Sequence, residues 1–97
     1  MKKLSDIKRI LQRRKERLHK EYGVREIGVF GSFVRGKQTR RSDIDLLVEF
    51  TKTPDLFEFI RLEDSLRRSL GIKVDLVRKG AIRPELRRNI LSEAVMV

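Results

Sequence analysis

The chain has 97 residues, a formal net charge of +10 at pH 7 and no cysteine. A chain of this length fits one compact domain with a modest core, and without cysteine it forms neither a disulfide framework nor a thiolate metal site. Since no apolar run approaches about 18 residues and no signal peptide opens the chain, we expect residues 1–97 to form one cytoplasmic domain without a membrane segment.

The spacing of apolar residues predicts alternating helices and strands. In chain order these are a helix from about residue 4, a strand over 25–30, a helical turn over 31–36, a basic loop over 37–42, a strand over 44–50, a helix over 54–70, a strand over 73–77, a helix from 83 and an edge strand over 94–97. Ser5 or an earlier residue caps the first helix, and Gly23 ends it. Thr53 caps the second long helix, and Gly71 ends it.

This order of elements predicts an α/β (α+β) domain, in which helices pack on one face of a small mixed sheet. The opposite face would carry acidic side chains and stay open to solvent and ligand. Leu47 and Val77 lie on that same face. Either a partner or a nucleobase covers these two residues, or the N-terminal helix packs over them.

Three aspartates are the candidate catalytic residues and metal ligands. Asp43 and Asp45 stand at the head of the second strand, where alternation places both on one face about 7 Å apart. Asp75 lies in the third strand, between Val74 and Leu76. If the two strands are close in one sheet, the three carboxylates converge.

Clustered carboxylates repel one another unless a cation compensates them, and hard oxygen ligands favour Mg²⁺. Two such ions about 4 Å apart would stabilise the attacking and the departing oxygen of a nucleotidyl displacement. The alternative interpretation is structural: Asp43 ends a loop, Asp45 faces solvent and Asp75 pairs with an arginine.

The turn Gly31-Ser32 follows an apolar strand and is a candidate phosphate site. Glycine permits close backbone approach, and Ser32 can cap a helical turn or donate its hydroxyl to a phosphate oxygen. The spacing excludes a Walker-type loop, because Gln38 stands where that motif requires Ser or Thr after Lys37, and the Rossmann fingerprint is absent.

These residues together resemble a known family. The chain is similar to the minimal nucleotidyltransferases, the small antitoxin-type branch of the DNA polymerase beta superfamily, in Gly31-Ser32, Arg35-Gly36, Ser42-Asp43-Ile44-Asp45-Leu46 and Asp75. The resemblance covers nearly the whole chain and implies a palm-like fold. It implies that Gly31 and Ser32 bind the triphosphate, with Arg35 and Ser42 of the same signature beside them. It also implies that Asp43 and Asp45 ligate both metals and that Asp75 completes the catalytic trio.

The resemblance also implies a function. Members of this family pair with HEPN-type toxins, and some transfer AMP from ATP to a toxin tyrosine. We therefore expect a Mg²⁺-dependent protein adenylyltransferase that uses ATP and acts as an antitoxin. The alternative is a binding-only antitoxin that blocks its partner without turnover.

The basic charge of the chain leaves a third hypothesis open, an RNA-associated module. Basic surfaces attract polyanions, but no aromatic residues are interleaved with these charges to stack on bases. A triphosphate or an acidic partner surface is therefore favoured over nucleic acid. The nearest basic residues to a bound phosphate would be Arg35, Lys37, Arg40 and Arg41, unless this loop is only solvated surface.

Overall fold

The computed structural model describes residues 2–97, so Met1 of the expected domain lies outside the described residues. The elements are α1 (Leu4–Tyr22), β1 (Val24–Phe30), α2 (Ser32–Arg35), β2 (Ile44–Phe50), α3 (Leu56–Leu70), β3 (Val74–Arg78), a 3-10 turn (Lys79–Ala81), α4 (Pro84–Glu93) and β4 (Val95–Met96). In residues 2–97 no helix is both long and apolar enough to cross a bilayer.

The four strands form one mixed sheet in the order β3-β2-β1-β4. β2 pairs with β3 in parallel, whereas β1 is antiparallel to both β2 and β4. The parallel pair is connected through α3, as a βαβ crossover requires. The expected mixed α/β architecture is confirmed.

The main core lies between this sheet and the helices α1 and α3. Alternate residues of the central strands point into it, so that Ile27, Leu46 and Val48 are completely buried. Ile7 and Leu11 of α1 pack against the same face of the sheet. The expectation of helices on one face therefore holds for α1 and α3.

The helix α4 lies on the opposite, acid-bearing face. There Phe30, Leu47 and Ile82 form a second small core, against which Ile90 and Ala94 pack. The chain's own C-terminal helix therefore covers Leu47, and the sequence-based alternatives of a partner, a nucleobase or the N-terminal helix are wrong for this residue. The direction in which α4 leaves the 3-10 turn decides this, and no local sequence pattern encodes it.

Helix α3 begins two residues later than the sequence suggested. Asp55, and not Thr53, is the cap: its Oδ1 accepts the backbone N–H of Glu58 at 2.8 Å. The Glu58 carboxylate in turn accepts the backbone N–H of Asp55 at 3.2 Å. This reciprocal pair of hydrogen bonds satisfies two backbone N–H groups at the start of the helix, which a single Thr hydroxyl cannot do. The predicted stops at Gly23 and Gly71 are confirmed, and both adopt positive φ of 69°.

Candidate active site

Two of the predicted acids face each other across the parallel pair of strands. Asp45 of β2 is in register with Asp75 of β3, and hydrogen-bonded strands lie about 4.8 Å apart. Asp45 is partly buried, whereas Asp75 and Asp43 are exposed. Asp43 precedes β2 by one residue, two positions before Asp45. The sequence-based idea that the two strands are neighbours is therefore confirmed, and the sheet itself sets the spacing of these carboxylates.

The carboxylates influence one another electrostatically. The pKa of Asp45 is raised above its ordinary value of 3.8, first because burial disfavours its charged form and then because Asp75 and Asp43 repel it. Arg35 acts in the opposite direction, and Glu93 adds further repulsion. A cation bound beside Asp45 would therefore offset the repulsion from the neighbouring carboxylates.

The donor chemistry of this site fits a hard divalent cation. Three carboxylates on one edge of the sheet offer oxygen ligands of the kind that Mg²⁺ prefers, and their mutual repulsion disfavours the cluster without a cation. Within residues 2–97 no three His, Cys, Asp or Glu side chains already stand in a metal-holding arrangement. Side-chain rotations of the exposed Asp43 and Asp75 would be needed to close a ligand set around Asp45.

The glycine of the predicted phosphate turn is tightly packed against this site. Phe30, the residue before Gly31, pairs with Asp45 in the antiparallel ladder. A Cβ on residue 31 would lie 2.1 Å from Asp45 Oδ2, and the φ angle of Gly31 is 80°. Only glycine fits here, because a side chain would collide with the carboxylate and strain the backbone.

The short helix α2 follows directly from Gly31. The Gly31 carbonyl accepts the backbone N–H groups of Val34 and Arg35 at 3.1 and 3.2 Å. Ser32 is the first residue of α2, and Gly36 ends the helix with a φ of 70°. The expected helical turn over 31–36 is thus present, with Ser32 next in the chain to the residue that contacts Asp45.

Ser42 lies at the end of the basic loop. Its hydroxyl accepts the backbone N–H of Thr39 at 2.8 Å, which closes a tight turn. Ser42 also lines a pocket of about 370 Å³ together with Phe33 and Ile72, which pack against the main core. The Ser42 hydroxyl is thus engaged by the backbone of its own loop, and its nucleotide-binding role stays a prediction.

The sequence analysis missed one acidic residue near the site. Glu93, the last residue of α4, accepts a hydrogen bond from Arg35 at 2.5 Å and adds to the repulsion on Asp45. No sequence signal could have found it, since its position depends on α4 crossing the acid-bearing face. Glu93 ties the C-terminal helix to the turn that begins at Gly31.

Sequence comparison shows which known proteins this chain is similar to. Residues 6–97 match the family model described as nucleotidyltransferase domain. Over the full length of both chains, the sequence is 50% identical to a Methanocaldococcus jannaschii protein provisionally named a protein adenylyltransferase. It is 46% identical to protein adenylyltransferase MntA of Thermococcus cleftensis, with 97% of this chain and 95% of that protein covered.

Two solved structures resemble the whole domain. One, provisionally described as a minimal nucleotidyltransferase, aligns with a TM-score of 0.74 at 35% sequence identity, over 92% of this chain and 93% of the other. The second is a toxin-antitoxin crystal structure with AMP-PNP, which aligns with a TM-score of 0.72 at 26% identity, over 88% of this chain and 70% of the other. Sequence and structure comparisons therefore agree over most of the chain.

Proposed function

Because this chain belongs to the minimal nucleotidyltransferases, a family of nucleotidyltransferase domains, we propose that it transfers AMP from ATP to a hydroxyl group of a protein partner. The observation that supports this most directly is the in-register pair Asp45 and Asp75 beside the Gly31 turn. The names of the two similar archaeal proteins support a protein as the acceptor.

We assign the three aspartates to metal binding. Asp43, Asp45 and Asp75 would hold Mg²⁺ with their carboxylate oxygens, and the raised pKa of Asp45 supports a cation at this position. When bound, the metal supplies charge neutralisation at the attacking and departing oxygens. The sheet register keeps Asp45 and Asp75 adjacent, so the acceptor hydroxyl and the α-phosphate would meet over the same edge of β2 and β3.

We assign the Gly31-Ser32 turn to the triphosphate. Without a Cβ at residue 31, the polyphosphate can approach the backbone beside the Asp45 carboxylate. Arg35 lies one helical turn further along the chain and offers a guanidinium fork suited to phosphate oxygens. The similar toxin-antitoxin structure with AMP-PNP supports an adenine nucleotide as the ligand.

The exposed apolar residues at the start of α3 favour a protein partner. Leu56 and Phe57 are 68% and 74% exposed. Leu56 borders a groove of about 370 Å³ between α3 and β3, here called the α3–β3 groove. The groove is lined by Pro54, Asp55, Leu56, Phe59, Leu76, Val77, Arg78 and Ala81. Exposed apolar clusters of this kind mark interaction surfaces.

The α3–β3 groove and the carboxylate face share the strand β3. Val77 in the wall of the groove lies on the same face of β3 as Asp75, two residues or about 7 Å away. A protein bound in this groove would therefore lie beside the strand that carries Asp75. We propose that the partner is a HEPN-type toxin, which agrees with the toxin-antitoxin assembly among the similar structures.

The test of this function is transfer of labelled AMP. The chain is incubated with Mg²⁺, ATP labelled at the α-phosphate and the candidate toxin, which is the product of the neighbouring gene. The wild type should label the toxin, while Asp45→Asn and Asp75→Asn should each lower the rate at least about a hundredfold, because several kcal/mol of transition-state stabilisation depend on the metal. Asp64→Asn is the matched control, since Asp64 pairs with Arg67 at 2.6 Å on the exposed side of α3. Equal labelling by all variants would refute the catalytic assignment.

A binding-only antitoxin is the second candidate. The exposed Leu56 and Phe57 would hold a partner whether or not the carboxylates work, and this observation favours it. A triple variant with Asn at Asp43, Asp45 and Asp75 separates the two functions. Undiminished neutralisation of the toxin by that variant would support simple blocking, whereas loss of neutralisation with retained toxin binding would support transfer.

A further inference from the structure

The ion pair between Arg35 and Glu93 joins two elements far apart in the chain. Arg35 is the last residue of α2, and its guanidinium donates to the carboxylate of Glu93 at 2.5 Å across 58 residues of sequence. The side chain of Arg35 is 52% exposed and that of Glu93 is 21% exposed. The pair is therefore accessible to a ligand that arrives at the Gly31 turn.

Both members of this pair act electrostatically on Asp45. Arg35 lowers the pKa of the Asp45 carboxyl group, and Glu93 raises it, so each is within electrostatic range of that side chain. If it were free, the Arg35 guanidinium would be drawn towards the carboxylate of Asp45, where it would compete with a cation. The bond to Glu93 gives Arg35 another partner.

We propose that Glu93 is a positioning residue, which holds Arg35 beside the Gly31 turn in the nucleotide-free protein and releases it to the polyphosphate when the nucleotide binds. This inference rests on the proposed function, because it takes the turn as the triphosphate site. Arg35 can exchange the Glu93 carboxylate for a phosphate group, because a guanidinium fork binds phosphate oxygens and carboxylate oxygens in the same planar geometry. No covalent bond forms or breaks in this step.

The exchange has a consequence for α4. None of residues 84–93 of this helix is fully buried. The contacts that attach it to the rest of the domain include the packing of Ile90, the bond from Arg87 to the Lys79 carbonyl at 3.1 Å and the Glu93 ion pair. Nucleotide binding should therefore loosen the C-terminal end of α4.

The affinity for a non-hydrolysable ATP analogue, measured by calorimetry on the isolated chain with Mg²⁺, tests the exchange. Glu93→Gln removes the competitor for Arg35, so the analogue should bind about two- to five-fold more tightly, in line with the strength of exposed ion pairs. Glu21→Gln is the matched control, because it removes the same charge from the Arg17 pair at 2.9 Å on α1. Tightening by Glu93→Gln that is no larger than that by Glu21→Gln would overturn the proposal.

A double-mutant cycle shows whether Glu93 acts through Arg35. In an Arg35→Gln background, Glu93→Gln should no longer tighten binding, because there is no guanidinium to release. Persistence of the full effect would mean that Glu93 simply repels the nucleotide, and would refute the positioning role. Hydrogen exchange gives an independent readout: the analogue should speed exchange over residues 90–94 in the wild type but not in Glu93→Gln. If the wild type binds no nucleotide at all, the proposed function itself fails and this inference falls with it.

Discussion

The α-carbon of Gly31 lies directly against the carboxylate of Asp45, with room for no side chain between them. The contact arises because Phe30 and Asp45 are paired across β1 and β2, so the chain must turn at Gly31 just where the acid projects. The Gly31 turn and the Asp45 carboxylate are therefore one packed unit, and a change in either should disturb the other.

Gly31→Ala should lower both stability and nucleotide binding. The backbone of residue 31 has φ 80° and ψ −151°, a region that costs other residues about 1–3 kcal/mol, and the new methyl group would push Asp45 aside. Gly36→Ala is the control, because nothing lies within 4 Å of its added Cβ, although its φ of 70° is also strained. Thermal unfolding and calorimetry with Mg²⁺ and an ATP analogue should show loss of binding for Gly31→Ala alone. Equal loss in both variants would contradict a specific role of Gly31.

Asp45→Asn should stabilise the protein at neutral pH in metal-free buffer. Because the folded-state pKa of Asp45 is raised above 3.8, its contribution to stability is fully present below that value and is lost as pH rises through the folded-state pKa. The advantage of the variant in free energy of unfolding should therefore be absent at the acid end and grow towards pH 7. Urea unfolding at several pH values measures this difference, and a difference that does not change with pH would argue against a raised pKa of Asp45.

Added Mg²⁺ should make the wild type more stable than Asp45→Asn. A ligand at ten times its dissociation constant stabilises the folded state by about 1.4 kcal/mol, which raises the melting temperature of a domain of this size by several degrees. The wild type should show this increase, and Asp45→Asn should show little of it. KCl at matched ionic strength controls for general screening of charge. An equal response of both proteins to Mg²⁺ would place the cation elsewhere.

Leu56→Gln and Phe57→Gln should weaken toxin binding without affecting the fold. Both side chains are mostly exposed, so their replacement removes little from the core, while loss of an interface anchor costs about 1–2 kcal/mol. That corresponds to roughly a five- to thirtyfold rise in the dissociation constant. Leu86→Gln on α4 is the control, since Leu86 is 46% exposed but does not line the α3–β3 groove. If only Leu86→Gln lowers the affinity, the partner binds to α4 and not to the start of α3.

The sequence predicted the sheet more accurately than it predicted what covers the sheet. The strand predicted over residues 44–50 has the same bounds as β2, because period-two alternation is a local pattern, although Leu47 on the other face is buried as well. The neighbouring positions of Asp45 and Asp75 followed from assuming that β2 and β3 pair. The cap of α3 was misplaced because Thr53-Pro54 is a good local signal, but Asp55 and Glu58 satisfy each other and offer a better one.

The contribution of α4 to the site could not be predicted from the sequence. The position of Glu93 depends on the angle at which α4 returns over the sheet, which is fixed by its packing on Phe30 and Leu47. The nucleotide-binding role of Ser42, whose hydroxyl accepts the backbone N–H of Thr39, stays a prediction. Long-range packing therefore explains why Glu93 was not predicted, and competition among local hydrogen bonds explains the misplaced cap of α3.

The parallel ladder between β2 and β3 makes the interval between Asp45 and Asp75 independent of the segments that join the strands. Insertions or deletions in residues 37–42 or 51–54 would leave that interval intact, because backbone pairing inside the sheet maintains it. The scaffold is therefore suited to loop grafting, in which new recognition segments are exchanged around an unchanged pair of acids to redirect the domain towards other acceptor proteins.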